Sequence, residues 1–394
     1  MSSNITKMSY ADDSIKNPLE GENGLKYFFV ICLALLSVFG TFGNLLVIGT
    51  VCVMPVLRTT NNYFIINLSV ADFMVTTISM PSNVLGALFG PQFYTTHSTA
   101  CWITGTFCAM GCISSCWNIA MISANRYILI CRYDLYDKVY TKANTVVLCL
   151  AVWLIIYLVD MPTHAGWTDT RFSNNFFVCT FNHLHIYTYF YAGVGISIPL
   201  GVIFLCYLGI YLKVHRSSLV RRIILNDGQV NAAARKTSLH PPELLLPKPD
   251  RRQKILTMSR IFRAKRASNK MFRANVRVAR ALFRVFLIFL IMWTPMTVVL
   301  LLRLGTRIHV AWYLLALLLA HGNSCLNCVI YALALDHFRE GYWRVLQFLR
   351  SKLLTSTSLN TINSQQPLEL LETPLTPSRG DAINFPILLQ SVDL

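Results

Sequence analysis

Seven long apolar blocks dominate the sequence and limit what it can fold into. They lie near residues 27–54, 63–88, 102–130, 145–162, 186–212, 282–302 and 309–334. A helix needs about 20 apolar residues to cross a bilayer, and every block except the fourth reaches that length. Because 54% of the 394 residues are hydrophobic and only 13% are charged, a soluble fold would lack polar surface. We therefore predict an all-α membrane protein, a seven-transmembrane-helix bundle whose fourth helix is the shortest and weakest.

The distribution of basic residues predicts the orientation of this bundle. Eighteen of the 35 lysines and arginines lie between Lys213 and Arg280, against three acidic residues in the same stretch. The short segments 55–61 and 131–144 also carry cations, whereas 89–100 carries none. Since cytoplasmic segments are enriched in Lys and Arg, we expect an extracellular N-terminus and a cytoplasmic C-terminus. The net charge of +17 then indicates contact with membrane lipid rather than nucleic acid.

This orientation divides the chain into one membrane domain and two tails. We assign 1–25 to an extracellular tail, 26–350 to the seven-helix domain, 213–280 to a long basic third intracellular loop, 335–350 to an amphipathic eighth helix and 351–394 to a disordered cytoplasmic tail. Asn4 begins a glycosylation sequon in the outer tail. Of the twelve cysteines, only Cys101 and Cys179 fall outside, where oxidising conditions favour a disulfide between them.

Asp72 and Arg126 are two of the four charged residues within the apolar blocks, and the others are Asp160 and Arg284. A charge near the centre of a membrane helix costs roughly 2.5–3.5 kcal/mol on insertion scales, so each residue needs either a partner or a function. If Arg126 has no function, its aliphatic stem would be buried and its guanidinium would reach the membrane edge. For Asp72 the alternative is a protonated carboxyl within a hydrogen-bond network.

A series of short motifs in order resembles the rhodopsin-like class of G-protein-coupled receptors over about residues 27–350. The motifs are "GNLLV" in the first block, "NLSVAD" in the second, "NRY" in the third, Trp153 in the fourth, Pro199 with Tyr207 in the fifth, "FLIMWTP" in the sixth and "NSCLNCVIY" in the seventh. Two motifs depart from the common pattern: Asn125 replaces an aspartate, and Cys328 replaces the proline after Asn327. The stretch "NRYILICRYDLYDKVYTKAN" resembles the cluster of melatonin, moody and trapped-in-endoderm receptors.

The resemblance implies a switch that couples ligand binding to a G protein. Its members would be Asn125, Arg126, Tyr127, Tyr207, Asn327 and Tyr331, with Phe289, Trp293 and Pro295 forming a hinge in the sixth helix. Arg126 would contact the G protein, since arginine stays charged and donates several hydrogen bonds. Because Asn125 cannot neutralise that charge, we expect a weak resting lock and some signalling without ligand.

The resemblance also implies an ion site and a ligand pocket. An allosteric sodium ion would be held by Asp72, Ser115, Asn323 and Ser324. The pocket would include Asn83, Cys108, Cys112, Phe181, Tyr191, Met296, Thr297 and His321. These residues include no carboxylate to pair with an ammonium, which disfavours aminergic ligands. The seventh block has no lysine, which excludes covalent retinal, and we expect no other cofactor. Thr163 and His183 stand where melatonin receptors carry Asn and Gln, which disfavours melatonin itself.

We therefore expect a plasma-membrane receptor that is not an enzyme. It would bind an extracellular small or lipid-like ligand and activate heterotrimeric G proteins, most readily the inhibitory class that the melatonin-like cluster suggests. Serines and threonines after residue 350 would be targets for receptor kinases and arrestin. The C-terminal Val392-Asp393-Leu394 resembles a ligand of PDZ domains. The alternatives are a constitutively active or arrestin-biased orphan receptor and a seven-helix transporter, although a transporter should show internal repeats.

Overall fold

The computed structural model describes residues 19, 21–182, 185–216, 276, 280, 283–284, 286–302, 304 and 308–364. Eight main helices follow one another: α1 Asn23–Val53, α2 Thr60–Phe89, α3 Ser98–Cys131, α4 Lys142–His164, α5 Tyr187–Arg216, α6 Phe286–Leu301, α7 Val310–Ala334 and α8 Asp336–Ser364. Short helical turns also occur at Pro55–Leu57, Pro91–Thr96 and Tyr133–Val139. The predictions for Asn4, for most of the 213–280 loop and for 365–394 lie outside the described residues.

Six of these helices, α1 to α5 and α7, are long and apolar enough to cross a membrane, and α6 is a shorter apolar helix over the residues described. Helix α4 is the shortest of these six helices, as predicted, but the expectation that it is the weakest was wrong. Helix α4 has 23 residues and is as apolar as α1. It starts one turn earlier than its apolar run, where the Thr141 hydroxyl accepts a hydrogen bond from the Asn144 N–H. Asp160 does not interrupt it, because its carboxylate lies 3.0 Å from His164 one turn later.

Two membrane helices widen into a π-helical turn just before a proline. The turn Val75–Ser79 precedes Pro81 in α2, and Gly193–Ser197 precedes Pro199 in α5. Proline has no N–H to donate and its ring crowds the carbonyl one turn earlier. A π turn absorbs this misfit inside a continuing helix and often marks a functional position.

A β-hairpin connects α4 to α5. Strand β1, Thr170–Ser173, pairs antiparallel with β2, Val178–Phe181, with Phe172 opposite Cys179. The turn requires a positive φ of 52° at Phe177, whose N–H donates to the Ser173 carbonyl at 2.8 Å. A disulfide between Cys101 and Cys179 fastens β2 to the start of α3. The link from this loop to the third helix is therefore present, although the strands themselves had not been predicted.

Helix α3 occupies the centre of the bundle, where it packs against α2, α4, α5 and the hairpin, while α1 packs against α2 and α7. The largest fully buried side chains include Phe29, Phe64, Phe289, Tyr313 and Tyr331. Large apolar side chains are also exposed along the outer faces of the helices. Apolar residues on both sides of a helix are expected when one side faces the bundle and the other faces lipid.

Helix α8 begins where predicted but ends later. In its first turns Phe338 packs against Tyr331 at 5.6 Å between ring centroids, and the Tyr342 hydroxyl donates to the Cys328 carbonyl at 3.0 Å. Trp343 is exposed on the opposite face, beside an Arg344–Glu340 ion pair. The helix continues to Ser364, so the disordered tail predicted from residue 351 begins too early. The helix-forming Lys352-Leu353-Leu354 extends the pattern before the Ser/Thr-rich segment.

Candidate functional site

A cavity lies below the β-hairpin, between four membrane helices. Its walls come from α3, α5, α6, α7 and the hairpin, and the lining residues are Cys108, Ala109, Cys112, Phe176, Val178, Thr180, Phe181, Tyr191, Trp293, Met296, Leu300, Ala320 and His321. Most are apolar or aromatic, and the polar groups are two hydroxyls, two thiols, an imidazole and an indole N–H. A concave apolar site with a few convergent polar groups is typical of small-molecule recognition.

Six of the eight predicted pocket residues line this cavity, namely Cys108, Cys112, Phe181, Tyr191, Met296 and His321. Asn83 and Thr297 do not, which corrects the prediction. The Thr297 hydroxyl donates to the Trp293 carbonyl of its own helix at 2.9 Å. Asn83 is fully buried on α2, a helix that supplies no lining residue.

Sequence reasoning missed the contribution of the hairpin, which places Phe176, Val178 and Thr180 over the cavity. The signal was available in Cys179, because a half-cystine fixed to α3 also fixes its neighbours on the same strand. Beside it, Phe172 stacks on Tyr94 at 5.3 Å between centroids. The Tyr94 hydroxyl donates to the Ser82 carbonyl at 2.8 Å, and burial raises the pKa of this tyrosine above its usual value.

The floor of the cavity is Trp293. Its indole stacks on Phe289, with ring centroids 5.8 Å apart and planes inclined by 26°. Phe289 is completely buried, whereas the Trp293 N–H has no partner among the described residues. The two aromatic residues of the predicted hinge are therefore in contact: Trp293 lines the cavity, and Phe289 lies in the core.

The carboxylate of Asp72 lies at the centre of a buried polar network. The Ser115 hydroxyl donates to Oδ1 at 2.6 Å, and the Asn327 amide donates to Oδ2 at 2.7 Å. Ser324 of α7 lies close enough to this carboxyl group to interact with it. Asn323 does not join it, since its Nδ2 has no partner in the part of the chain that the structure describes. Three of the four predicted ion-site residues therefore meet, and Asn327, predicted as part of the switch, takes the remaining place.

A second buried network joins α2, α3 and α4. The Trp153 indole donates to the Asn67 side-chain oxygen at 2.8 Å, and the Asn67 amide donates to Asn118 Oδ1, also at 2.8 Å. The role of Asn118 was not predicted, because nothing in the local sequence shows which amide meets Asn67. The network holds three membrane helices together by satisfying polar groups away from water.

Arg126 lies near the other end of α3 and is only 8% exposed. Within the described ranges it forms no ion pair, and its Nε has no hydrogen-bond partner. Tyr207 of α5 lies close enough to interact with it electrostatically. The adjacent Asn125 is buried with its Nδ2 also unpartnered, and Tyr127 packs against Gly209 of α5. The structure thus brings the predicted switch residues of α3 against α5, while Tyr331 packs on α8.

Comparison with known proteins agrees with this architecture. The family profile "7 transmembrane receptor (rhodopsin family)" matches residues 43–331. Melatonin receptor type 1C of Xenopus laevis is 28% identical over 335 residues, which cover 83% of this chain and 69% of that receptor. Melatonin receptor type 1A of Mus musculus is 25% identical over 393 residues, 96% of this chain and 98% of that receptor. The crystal structure of squid rhodopsin superposes with a TM-score of 0.64 at 21% identity, over 83% of this chain and 86% of that chain. These matches confirm the predicted seven-helix fold.

Proposed function

Because the chain belongs to the rhodopsin family of seven-transmembrane receptors, we propose that it binds an extracellular small or lipid-like ligand below the hairpin and activates a heterotrimeric G protein. Family membership makes it a multi-pass membrane receptor rather than an enzyme or a transporter, and places it near the melatonin receptors. We further propose a plasma-membrane location with the N-terminus outside, which rests on the distribution of basic residues.

The observation that carries the proposal is the position of Trp293. It lines the cavity and stacks on the buried Phe289 of the same helix, so a ligand that displaces the indole also disturbs core packing of α6. Packed cores have discrete arrangements, which lets a small displacement at one end become a larger shift at the other. The far end of this bundle carries Arg126, the residue predicted to meet the G protein.

The lining of the cavity supports a weakly polar ligand. The lining residues that the structure describes include neither a carboxylate to pair with an ammonium nor a lysine to form a Schiff base. Thr163, which stands where melatonin receptors carry an asparagine, donates its hydroxyl to the Asp160 carbonyl at 2.7 Å and does not line the cavity.

Coupling to the inhibitory class of G proteins is proposed from the similarity to melatonin receptors. Arrestin, receptor kinases and a PDZ protein are proposed partners of the cytoplasmic tail, on the strength of its Ser/Thr content and its last three residues.

An allosteric sodium ion is a further proposal that the donor set around Asp72 fits. A carboxylate and the hydroxyl oxygens of Ser115 and Ser324 are hard oxygen ligands of the kind that hard cations prefer. Asn327 would be displaced from the carboxylate or would turn its own oxygen toward the ion. The ion would supply a positive charge that balances Asp72 within the membrane and favours the arrangement of helices seen here.

The proposed function is tested by G-protein activation without agonist, in cells that express equal surface amounts of wild type and Arg126→Ala across the G-protein classes. We expect basal activation of the inhibitory class by wild type and its loss in the variant, because Arg126 is buried without an ion pair among the described residues. Arg132→Ala is the matched control, since this arginine is exposed just after α3 ends. Equal signals from all three proteins in every class would contradict G-protein coupling through Arg126. Arrestin recruitment without G-protein activation would support the arrestin-biased alternative.

A further inference from the structure

One wall of the cavity carries two thiols and an imidazole grouped together. The Sγ atoms of Cys108 and Cys112 and a ring nitrogen of His321 all lie within 4.8 Å of one another. Cys108 Sγ lies 3.8 Å from His321 Nε2. No other group of three or more His, Cys, Asp or Glu side chains with this spacing occurs in the described part of the chain.

The backbone holds these three groups in position. Cys108 and Cys112 are four residues apart on α3 and therefore share one face of the helix. His321 comes from α7, and its Nδ1 lies 3.1 Å from the Leu317 carbonyl. Since a carbonyl only accepts hydrogen bonds, Nδ1 carries the proton and Nε2 presents a lone pair toward Cys108. Fixing a histidine tautomer through its other nitrogen is the usual way in which proteins orient a metal ligand.

We propose that Cys108, Cys112 and His321 form a zinc site in the wall of the ligand cavity. Tetrahedral Zn²⁺, with bonds of about 2.3 Å to sulfur and about 2.0–2.1 Å to nitrogen, places a sulfur and a nitrogen ligand about 3.5 Å apart and two sulfurs about 3.8 Å apart. The spacing here requires the side chains to close by only a few tenths of an ångström at the measured pair. Sulfur and imidazole are the ligands that favour zinc over magnesium or calcium.

Charge balance favours zinc in this cavity. Two thiolates and a neutral imidazole compensate the two positive charges of the ion, so the complex is neutral and suits the apolar surroundings. Forming it releases two thiol protons, one from each cysteine, with no change of oxidation state.

Three protein ligands leave the fourth position of a tetrahedral ion open to the cavity. Such sites accept water or a donor atom of a bound molecule. The ion would therefore favour a ligand with a sulfur, nitrogen or anionic oxygen donor. This consequence for ligand chemistry rests on the proposed receptor function, whereas binding of the metal itself requires only the fold.

The site is tested with Co²⁺ as a spectroscopic probe on the full-length receptor in nanodiscs, after metal is removed with a chelator. Thiolate ligation of cobalt gives a sulfur-to-metal charge-transfer absorption, and we expect about one bound equivalent that Zn²⁺ displaces. Cys108→Ser, Cys112→Ser and His321→Gln should each abolish or strongly reduce this absorption. Cys116→Ser is the control, because this cysteine is buried one turn further along α3 and outside the cluster.

A second measurement avoids substitution. Zn²⁺ should protect Cys108 and Cys112 of the wild type from a thiol reagent, as quantified by mass spectrometry of the α3 peptide, and should leave labelling of the exposed Cys52 unchanged. No charge-transfer absorption in the wild type, or absorption that persists in both Cys108→Ser and Cys112→Ser, would overturn the proposal. Both readouts are independent of G-protein activation. A receptor that binds the metal but does not signal would therefore count against the proposed function alone.

Discussion

Two glycines allow the β-hairpin to pack closely over the cavity, and replacing either one by a larger residue should displace the hairpin from it. A Cβ added at Gly86 of α2 would lie 2.4 Å from the Phe177 carbonyl oxygen and 2.8 Å from the Phe172 ring. A Cβ added at Gly105 of α3 would lie 2.9 Å from the Cys179 carbonyl oxygen. These distances are well below ordinary van der Waals contact, and backbone oxygen cannot rotate away as a side chain can. The hairpin must therefore retreat by about 1 Å in Gly86→Ala.

The expected magnitude follows from two opposing effects. Forcing an extra carbon into a packed site costs about 1–3 kcal/mol, and the backbone contact at Gly86 places this variant in the upper half of that range. Replacing glycine by alanine inside a helix returns about 0.5–1 kcal/mol. We expect a net loss of about 1–2 kcal/mol for Gly86→Ala and a smaller loss for Gly105→Ala. Gly201→Ala is the control, because nothing lies within 4 Å of its added Cβ.

The assay combines thermal unfolding of the purified receptor with labelling of Cys108 by a hydrophilic thiol reagent. A lifted hairpin opens the cavity, so Gly86→Ala should unfold at a lower temperature and label faster at Cys108 than wild type. Gly201→Ala should match or exceed the wild type in stability and label at the same rate. If Gly86→Ala behaves like Gly201→Ala in both measurements, the hairpin does not cover the cavity in the way described.

Two further substitutions test the buried polar networks. Trp153→Phe removes the donor to Asn67 and should lower the free energy of unfolding by about 1–2 kcal/mol, whereas Trp312→Phe at a 61% exposed site should change it by less than about 0.5 kcal/mol. Equal losses of unfolding free energy in the two variants would show that the hydrogen bond from Trp153 to Asn67 does not stabilise the protein. Agonist affinity, measured once a ligand is available, should fall when sodium replaces a large organic cation, and Asp72→Asn should remove this dependence. Unchanged sodium sensitivity in the variant would exclude Asp72 as the ion ligand.

Helix positions were predictable because the membrane requirement is strong. The second apolar block, 63–88, became Thr60–Phe89, and the last, 309–334, became Val310–Ala334. A long run of apolar residues has few alternatives once it must satisfy its backbone hydrogen bonds in lipid. The fourth block, 145–162, understates helix α4, which runs from Lys142 to His164, because polar residues at both ends of the helix lie outside the apolar run.

The site was predictable only in part, because its details depend on tertiary contacts. The residues of α3, α6 and α7 could be assigned by their separation from recognisable motifs. Strands of four residues give too weak a pattern to reveal a hairpin, and its position is set by the Cys101–Cys179 bond and by the space at Gly86. Motif position likewise could not show that Asn327, rather than Asn323, contacts Asp72.

Asp72 and Arg126, two of the three buried Asp and Arg side chains in the described residues, have opposite surroundings, and this contrast indicates where the molecule can change. Asp72 accepts hydrogen bonds from two helices, so moving it would cost several interactions at once. Unpartnered polar atoms among the described residues include Trp293 Nε1, Asn125 Nδ2 and Arg126 Nε, and they also occur elsewhere in the bundle, for example at Asn323 Nδ2. Each buried polar group without a partner costs about 1–3 kcal/mol, which an arrangement that supplies partners would recover. The carboxylate network is therefore the fixed point of the bundle. The cavity floor and the arginine end are two places where unpartnered groups lie beside the proposed ligand and G-protein sites.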